Sequence, residues 1–145
     1  MVSNTANRTL IRSGFFLLLC GLLTGLAVPT FTNPRMALSA HLEGVLNGIL
    51  LVVLGLIWGH LTLSSRLAKF IFWLFIYAAF ANWGVTTLGA AFGTSRLTPL
   101  AGAGYSATPL QEAFVQVIQV SLALAVIAAT TLVLYSLRGR GDPGS

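Results

Sequence analysis

Four long runs of apolar residues, separated by short segments that contain polar residues, glycine or proline, organise this chain. The runs cover residues 13–31, 36–63, 67–92 and 110–137. An α-helix needs about 20 apolar residues to cross the hydrocarbon core of a bilayer, and each run has about that length or more. The pattern therefore predicts an all-α protein, folded as an integral membrane four-helix transmembrane bundle.

Prolines mark the ends of the runs. Pro29 and Pro34 end the first run, because proline restricts its own backbone and that of the preceding residue. Pro109 suits the first turn of the fourth helix. The one long connection, residues 93–109, is rich in glycine, proline and hydroxyl side chains. An ordered loop that folds over one end of the bundle and a flexible connector are both open interpretations of it.

Composition supports a membrane protein. Hydrophobic residues make up 56% of the chain and charged residues 8%, and the mean hydropathy is +0.87. Soluble domains carry roughly 25% charged residues. The four spans use most of residues 1–145, which we treat as a single domain. Cys20 is the sole cysteine, so neither a disulfide framework nor a thiolate metal cluster is available.

The net charge of +5 does not indicate a nucleic-acid partner, because the basic residues are scattered at the helix ends. Six fall on one side of the predicted membrane and two on the other. The six are Arg8, Arg12, Arg66, Lys69, Arg138 and Arg140, and the two are Arg35 and Arg96. Positive residues favour the cytoplasmic side, so both termini are predicted to be cytoplasmic.

Polar residues within the second run indicate a functional site, since polar and ionisable groups are costly inside a bilayer. Imidazole is the commonest metal ligand and a frequent axial ligand to haem, which makes His41 the candidate ligand. Gly44 and Gly48 lie near its face and would let a flat macrocycle approach. A hydrogen bond from His41 to a neighbouring helix, and glycine-mediated helix packing, are the structural alternatives.

Three further polar residues fall in the middle of the spans. Asn82 and Thr86 are four residues apart and share a face of the third helix. Together with Asn47 of the second helix, and with Tyr77 nearby, they are expected to line a polar pocket that faces His41. The structural alternative is an Asn47–Asn82 clasp between the helices.

Structural roles are predicted for two acidic residues, Glu43 and Glu112. Glu43, inside the second run, is expected to pair with Arg35 or Arg96, with proton transfer as an alternative role. Glu112 begins the fourth helix, where a negative charge is favourable near the helix N-terminus. A pair with Arg96 would also let it clasp the long loop.

The number and separation of the possible metal ligands favour haem over a metal ion held by several protein side chains. His41 and His60 are the only histidines, and nineteen residues at ~1.5 Å each place them about 28 Å apart along one helix. They cannot share an ion, and catalytic zinc needs three protein ligands. His60, close to Trp58, is expected at the membrane interface. Iron on His41 would therefore be haem iron with an open position.

A resemblance to a known family appears in the second and third spans. The segment from Arg35 to Gly48, followed by Leu-Gly-Leu-Ile-Trp at 54–58, resembles the hydroxylaminobenzene mutase and styrene oxide isomerase family of small membrane haem isomerases. The shared pattern is His-x-x-Gly-x-x-Asn-Gly, here from His41, and Ala-Asn-x-Gly, here from Ala81. The residues around His41 are closer to the mutase branch.

The resemblance implies a cofactor, partners and a reaction. It implies ferric haem b with His41 as proximal ligand, and a homotrimer in the bacterial inner membrane with haems between protomers. The implied reaction converts a small aromatic substrate, an aryl hydroxylamine, to a 2-aminophenol, with ferric haem as Lewis acid. The pocket residues that it implies are Asn47, Asn82 and Thr86.

One position departs from the isomerase branch. A pocket tyrosine of that branch is replaced here by Thr86, which counts against styrene oxide as the substrate. An epoxide isomerase of the styrene oxide type is kept as the alternative function. The group that moves protons stays open among Tyr77, Tyr105 and Glu43. Two other classes of function remain as rivals: a haem-binding electron-transfer subunit with two axial ligands, and a small transporter or assembly subunit without cofactor.

Overall fold

The computed structural model describes residues 2–138. That part of the chain contains four α-helices and no strand: α1 (Val2–Ala27), α2 (Pro34–Ile57), α3 (Ser65–Phe92) and α4 (Pro109–Ser136). All four are long and apolar enough to cross a membrane. The prediction of an all-α protein with four membrane-spanning helices is confirmed. Arg140, used above in the charge comparison, lies outside the described residues.

Two helix boundaries differ from those of the apolar runs. α1 begins at Val2, well before residue 13, because the polar residues ahead of the apolar run also adopt helical structure. α2 ends at Ile57 and continues into a single 3-10 turn, Trp58–His60. Gly59 lies in that turn, and glycine is a poor helix former. Hydropathy thus locates the lipid-compatible segment, whereas backbone preference decides where the helix begins and ends.

Short polar side chains fix the helix starts. The Asn33 side chain accepts a hydrogen bond from the Met36 N–H at 3.2 Å, and Ser64 caps α3 in the same way. Thr108 and Gln111 form a capping box at α4. Each cap satisfies backbone N–H groups that the first helical turn leaves without partners. The caps explain why the helices begin where they do.

The helices pack mainly in chain order, α1 on α2, α2 on α3 and α3 on α4. Among the described residues, α4 makes direct backbone contacts with α3 but with neither α1 nor α2. A buried side-chain cluster connects all four helices, with members that include Leu17, Leu51, Ile71, Phe75 and Ala129. α3 is therefore the central element, and α4 is attached to the others through it.

The loop between α3 and α4 is ordered by contacts with the α1–α2 connection. The side-chain amide of Asn33 donates to the Ala101 carbonyl at 2.8 Å, and Asn33 is fully buried. The guanidinium of Arg35 donates to the Ala103 carbonyl and lies 5.8 Å from the ring centroid of Tyr105. Of the two interpretations that the sequence left open, the structure supports the ordered loop.

Glu112 holds the same loop from the α4 side. Its two carboxylate oxygens accept the backbone N–H groups of Ser95 at 2.9 Å and Arg96 at 3.1 Å. The prediction that Glu112 clasps the loop is confirmed, although the partner is the backbone and not the Arg96 guanidinium. The carboxylate is buried, where two converging N–H donors replace the water that it loses.

Candidate functional site

His41 lies on the side of α2 that faces α1. Its ring nitrogen Nδ1 is 2.8 Å from the carbonyl oxygen of Gly21. A carbonyl oxygen only accepts hydrogen bonds, so Nδ1 carries the proton and donates it. The neutral ring then keeps its lone pair on Nε2, which is the form of histidine that ligates a metal. The predicted helix–helix hydrogen bond is present, yet it uses one of the two nitrogens and leaves the other for a ligand.

A second glycine of α1 makes room for the imidazole. A Cβ atom built on Gly25 would lie 2.6 Å from His41 Nδ1 and 3.0 Å from His41 Cε1. Real Cβ atoms do not approach other atoms that closely, so any side chain at this position would displace the ring. Gly21 and Gly25 therefore position His41, one through its carbonyl and the other through its small size.

Gly44 and Gly48, predicted to contact a cofactor, lie against α1. A Cβ on Gly44 would lie 2.5 Å from the Cα of Gly21 and 2.8 Å from Cδ1 of Trp83, and a Cβ on Gly48 would lie 2.7 Å from the Gly14 carbonyl oxygen. Within one chain, their small size therefore allows α1 and Trp83 to approach α2. Contact with a haem stays a prediction for both glycines.

Trp83 ties α3 to the same place. Its indole Nε1 donates to Thr24 Oγ1 of α1 at 3.0 Å, and the Thr24 hydroxyl donates to the Cys20 carbonyl at 2.9 Å. An indole N–H needs an acceptor when it is removed from water. This bond brings α3 onto the α1–α2 contact, one turn of α2 away from His41.

A cleft on the other side of α2 brings Asn47 and Asn82 together. Three helices line it: α2 contributes Asn47 and Leu50, α3 contributes Phe75, Ala78, Ala79 and Asn82, and α4 contributes Leu122 and Val126. Its volume is about 40 Å³. Among the hydrogen bonds of residues 2–138, none joins the two amides. The predicted Asn47–Asn82 clasp is therefore wrong, and both amides remain available to a bound molecule.

Glu43 and Thr86 meet one helical turn along from the asparagines. The Thr86 hydroxyl lies within hydrogen-bonding reach of the Glu43 carboxyl, although the geometry of Glu43 Oε2 and Thr86 Oγ1 falls short of an ideal hydrogen bond. The predicted ion pair of Glu43 with Arg35 or Arg96 is wrong, because Glu43 faces α3 while Arg35 is held by the loop. Thr86 thus belongs to the same helix–helix face as the two asparagines.

The structure does not bring His41 to this cleft within one chain. Six residues separate His41 from Asn47, which places them about 120° apart around the axis of α2. His41 faces α1, whereas Asn47 lies in the cleft formed with α3 and α4. The expected pocket facing His41 is accordingly divided between two sides of α2.

Other residues weighed above lie away from the cleft. The hydroxyl of Tyr77 bonds to Ser121 of α4, and Tyr105 lies in the α3–α4 loop beside Arg35. His60 is exposed in the turn after α2, in agreement with an interfacial position. Of the three groups considered for proton transfer, Glu43 alone lies beside Thr86.

The described residues contain no group of three His, Cys, Asp or Glu side chains that could hold a metal ion. A metal bound by this chain would depend on His41 with one protein ligand. That donor set suits haem, whose porphyrin supplies the other ligands, and the fixed Nδ1–H bond fits it.

Sequence reasoning missed Gly21, Gly25 and Thr24, which position His41 and Trp83. A signal was available: Gly14, Gly21 and Gly25 share one face of α1, because they are spaced by seven and four residues. The spacing shows a face of small residues but not which helix packs there. The partner could be identified only from the structure.

Comparisons with known proteins place this small four-helix membrane protein in a family of membrane isomerases. A sequence model of the styrene oxide isomerase family matches residues 6–138. Hydroxylaminobenzene mutase HabB of Ectopseudomonas oleovorans is 41% identical over 132 residues, which cover 90% of this chain and 80% of the relative. No solved structure matches the chain significantly.

Hydroxylaminobenzene mutase HabA of the same organism is also 41% identical, over 129 residues that cover 88% of this chain and 96% of the relative. The chain belongs to the styrene oxide isomerase family. The resemblance drawn from the His41 and Ala81 motifs is thereby confirmed.

Proposed function

We propose that this protein is a membrane-bound isomerase that converts hydroxylaminobenzene-type aryl hydroxylamines to 2-aminophenols. The observation that carries the proposal is the pair of amides, Asn47 and Asn82, in an otherwise apolar cleft. The proposed substrate and reaction come from two relatives named hydroxylaminobenzene mutase, each 41% identical to this chain. Because relatives that cover most of the chain are named as enzymes, the electron-transfer and non-catalytic interpretations lose support.

The reaction is an internal transfer of a hydroxyl group. The N–O bond breaks, a C–O bond forms at the ortho carbon, and the proton on that carbon is replaced by one added at nitrogen. Substrate and product have the same composition, so no external oxidant or reductant takes part. The protein has to orient the N–O group and protect a reactive intermediate from water.

The cleft suits the polar end of such a substrate. A cavity holds a water molecule when its volume reaches ~10–15 Å³, so the cleft, at about 40 Å³, has room for a small polar group such as –NHOH. The ring would pack against the apolar part of the lining, which includes Leu122 and Val126. Asn47 and Asn82 hold the N–O group in one orientation, and Thr86 adds a hydroxyl one turn away.

His41 is the residue that would hold haem b. When bound, ferric haem supplies a Lewis acid that stabilises negative charge on oxygen as the N–O bond weakens. The support from the structure is the Nδ1–H bond to Gly21, which leaves Nε2 as the ligand atom. Gly25 provides the space that this ring orientation requires.

The complete site is proposed to form between copies of the chain. His41 and the cleft lie on different sides of α2, so a neighbouring copy would have to supply one of them for both to belong to one site. A contact between two different faces closes into a ring when the rotation permits, and a homotrimer is such a ring. Apolar residues of α4 that one chain leaves exposed, including Leu124 and Ile127, are available for such contacts or for lipid.

The membrane arrangement follows from the charges. Four membrane-spanning helices indicate a multi-pass membrane protein. The excess of basic residues at the ends of α1, α3 and α4 supports cytoplasmic termini. The bacterial inner membrane is the proposed location.

An epoxide isomerase of the styrene oxide type is the second candidate, because the matching family carries that name. An epoxide is also a small apolar substrate that opens with the help of a Lewis acid. Thr86, which stands where the isomerase branch has a pocket tyrosine, favours the hydroxylamine.

The testing experiment combines a spectrum with an assay of detergent-purified protein. Oxidised and reduced absorption spectra, and turnover of hydroxylaminobenzene and styrene oxide, are compared among wild type, His41→Ala and His60→Ala. We expect a high-spin Soret band and 2-aminophenol formation in wild type and in His60→Ala, and loss of both in His41→Ala. His60 is the matched control because it is an exposed histidine in the same span region.

Different results would exclude specific parts of the proposal. Full turnover by haem-free His41→Ala would exclude the haem role. A low-spin spectrum that depends on both histidines would indicate electron transfer. A wild-type protein with neither haem nor turnover would leave the non-catalytic interpretation.

A further inference from the structure

A cavity lies between the first turns of α1 and α3, at the opposite end of the bundle from the α3–α4 loop. Its volume is about 340 Å³, which is within the range of ~300–1,000 Å³ that is usual for sites of small molecules. Its lining combines aromatic rings with hydroxyl and ammonium groups and includes Thr5, Thr9, Trp58, Lys69, Phe72 and Trp73. None of these residues belongs to the proposed reaction site.

Three rings form one wall of this cavity, here called the aromatic wall. The rings of Trp58 and Phe72 meet edge to face with centroids 6.1 Å apart, and those of Phe72 and Trp73 with centroids 5.2 Å apart. Trp58 is buried, whereas Trp73 is 64% exposed. Tryptophan near the end of a span is typical of the membrane–water interface, where an apolar ring body meets lipid. The aromatic wall is therefore suited to the apolar part of an amphiphile.

Cationic side chains border the same cavity. Lys69 lines it directly. Thr5 and Thr9 also line a second cavity of about 330 Å³, whose other lining residues are Arg8 and Arg12. The Thr9 hydroxyl donates to the Thr5 carbonyl of its own helix at 2.9 Å, which leaves the three cations as the main donors for an anion. The two adjoining cavities thus place an apolar aromatic surface beside three positive charges.

The acids of the described chain lie too far away to balance these charges. Glu112 holds the loop after α3. Glu43 lies beside Thr86, which is seventeen residues of α3 from Lys69, or about 26 Å at ~1.5 Å per residue. The third acid of the sequence, Asp142, could neutralise only one of the five basic residues of the described chain at this end, which are Arg8, Arg12, Arg66, Lys69 and Arg138. Most of the counter-charge therefore comes from outside the protein.

We infer that this end of the protein binds an anionic phospholipid. The lipid phosphate lies against Lys69, Arg8 and Arg12, and an acyl chain lies against the aromatic wall. A free phosphate would use the cations and leave the aromatic cavity empty. A zwitterionic lipid would fill the cavity but bring its own positive charge to the cations. An anionic lipid alone satisfies both parts, and this binding is independent of the reaction proposed above.

The test uses the tryptophans of the cavity as reporters. The full-length protein is reconstituted into vesicles of phosphatidylcholine and phosphatidylglycerol, in which one lipid or the other is brominated near the headgroup end of its acyl chains. Bromine quenches tryptophan fluorescence at short range, so the quenching by each lipid at equal mole fraction reports their relative affinity for the site. We expect brominated phosphatidylglycerol to quench more than brominated phosphatidylcholine, and Trp73→Phe to lose most of that excess.

Two single-charge variants distinguish the cavity from general attraction to a charged surface. Lys69→Gln is expected to lower the preference for phosphatidylglycerol about fivefold, because a basic residue beside an anionic lipid contributes about that factor. Arg138→Gln is the matched control. It removes one positive charge from the same end, but Arg138 lines a different cavity with Thr62 and Tyr135, so the preference should change little. Lys69 and Arg138 are both exposed, and neither variant is expected to disturb folding.

Four results would overturn the inference. Equal quenching of wild type by the two lipids would show that the cavity selects lipid by its apolar part alone. An unchanged preference in Lys69→Gln, or an equal loss in Arg138→Gln, would assign the attraction to the whole surface. Excess quenching that persists in Trp73→Phe would place the lipid elsewhere. Loss of the excess on addition of inorganic phosphate at constant ionic strength would make a free anion the occupant of the cationic part.

Discussion

The imidazole of His41 in α2 is oriented by a backbone carbonyl of α1, that of Gly21, which accepts the Nδ1 proton over 2.8 Å. No substitution can remove a carbonyl, so the orientation depends on the spacing of the two helices and on the space at Gly25.

Gly25→Ala is expected to lower haem content by about tenfold without unfolding the protein. The new methyl group would lie 2.6 Å from His41 Nδ1, too close for the ring to stay in place, and loss of a hydrogen bond that orients a ligand typically costs about 10- to 100-fold in metal affinity. Haem per protein is measured from the reduced pyridine complex. Gly84→Ala is the control, since nothing lies within 4 Å of a Cβ there. Equal haem in the two variants would contradict the positioning role.

Gly48→Ala is expected to destabilise the protein by about 1–3 kcal/mol, because overpacking forces backbones apart. A Cβ there would lie 2.7 Å from the Gly14 carbonyl and 2.7 Å from the Leu18 nitrogen, and neither backbone atom can move aside alone. Denaturation in mixed detergent micelles measures the free energy of unfolding, again with Gly84→Ala as control. A variant that keeps its stability but loses haem would instead assign Gly48 to cofactor contact.

Glu112→Gln is expected to loosen the α3–α4 loop at a cost of about 1–3 kcal/mol. One carboxylate oxygen becomes an NH₂ group that faces a backbone N–H donor of Ser95 or Arg96. Faster proteolysis within residues 93–108 is the measurement. Arg96→Ala should have no such effect, because the clasp uses the Arg96 backbone; sensitivity of Arg96→Ala equal to that of Glu112→Gln would show that the guanidinium matters.

Asn47→Leu and Asn82→Leu are each expected to reduce kcat/KM for hydroxylaminobenzene about 100-fold with haem content unchanged. Loss of an orienting group misplaces the reacting atoms, and small misplacements cost about that factor. Neither amide contributes a hydrogen bond to the fold within residues 2–138, so expression and stability should be retained. Wild-type kinetics in both variants would remove the asparagines from the site.

Much of this architecture could be predicted from the sequence because lipid imposes a simple length rule. The four runs predict four spans, and the spacing of Asn82 and Thr86 predicts one polar face, both of which the structure contains. The rotation of each helix was harder to predict. Most faces of α2 are apolar, so hydropathy did not show that His41 faces α1 while Asn47 faces α3.

Which partner Glu43 meets also depends on the rotation of its helix, which the sequence does not show. Its distance along the chain from Arg35 made an ion pair reasonable, but a carboxyl on the α3 side of α2 cannot meet a guanidinium held by the Ala103 carbonyl. The role of Gly25 was not predicted for a related reason, since this glycine matters through the space that it leaves for the His41 side chain of another helix. Such relations exist only after the helices have packed.

The cleft with Asn47 and Asn82 is lined by residues near the middle of α2, α3 and α4, and α2 and α4 have no direct backbone contact with each other in the described chain. The cleft therefore lies at the level of the acyl chains and away from either aqueous surface. A reactant that enters sideways is supplied at a concentration set by its lipid–water partition coefficient. Apparent KM values expressed per volume of water would then rise with added lipid or detergent, while those expressed per volume of membrane stay constant.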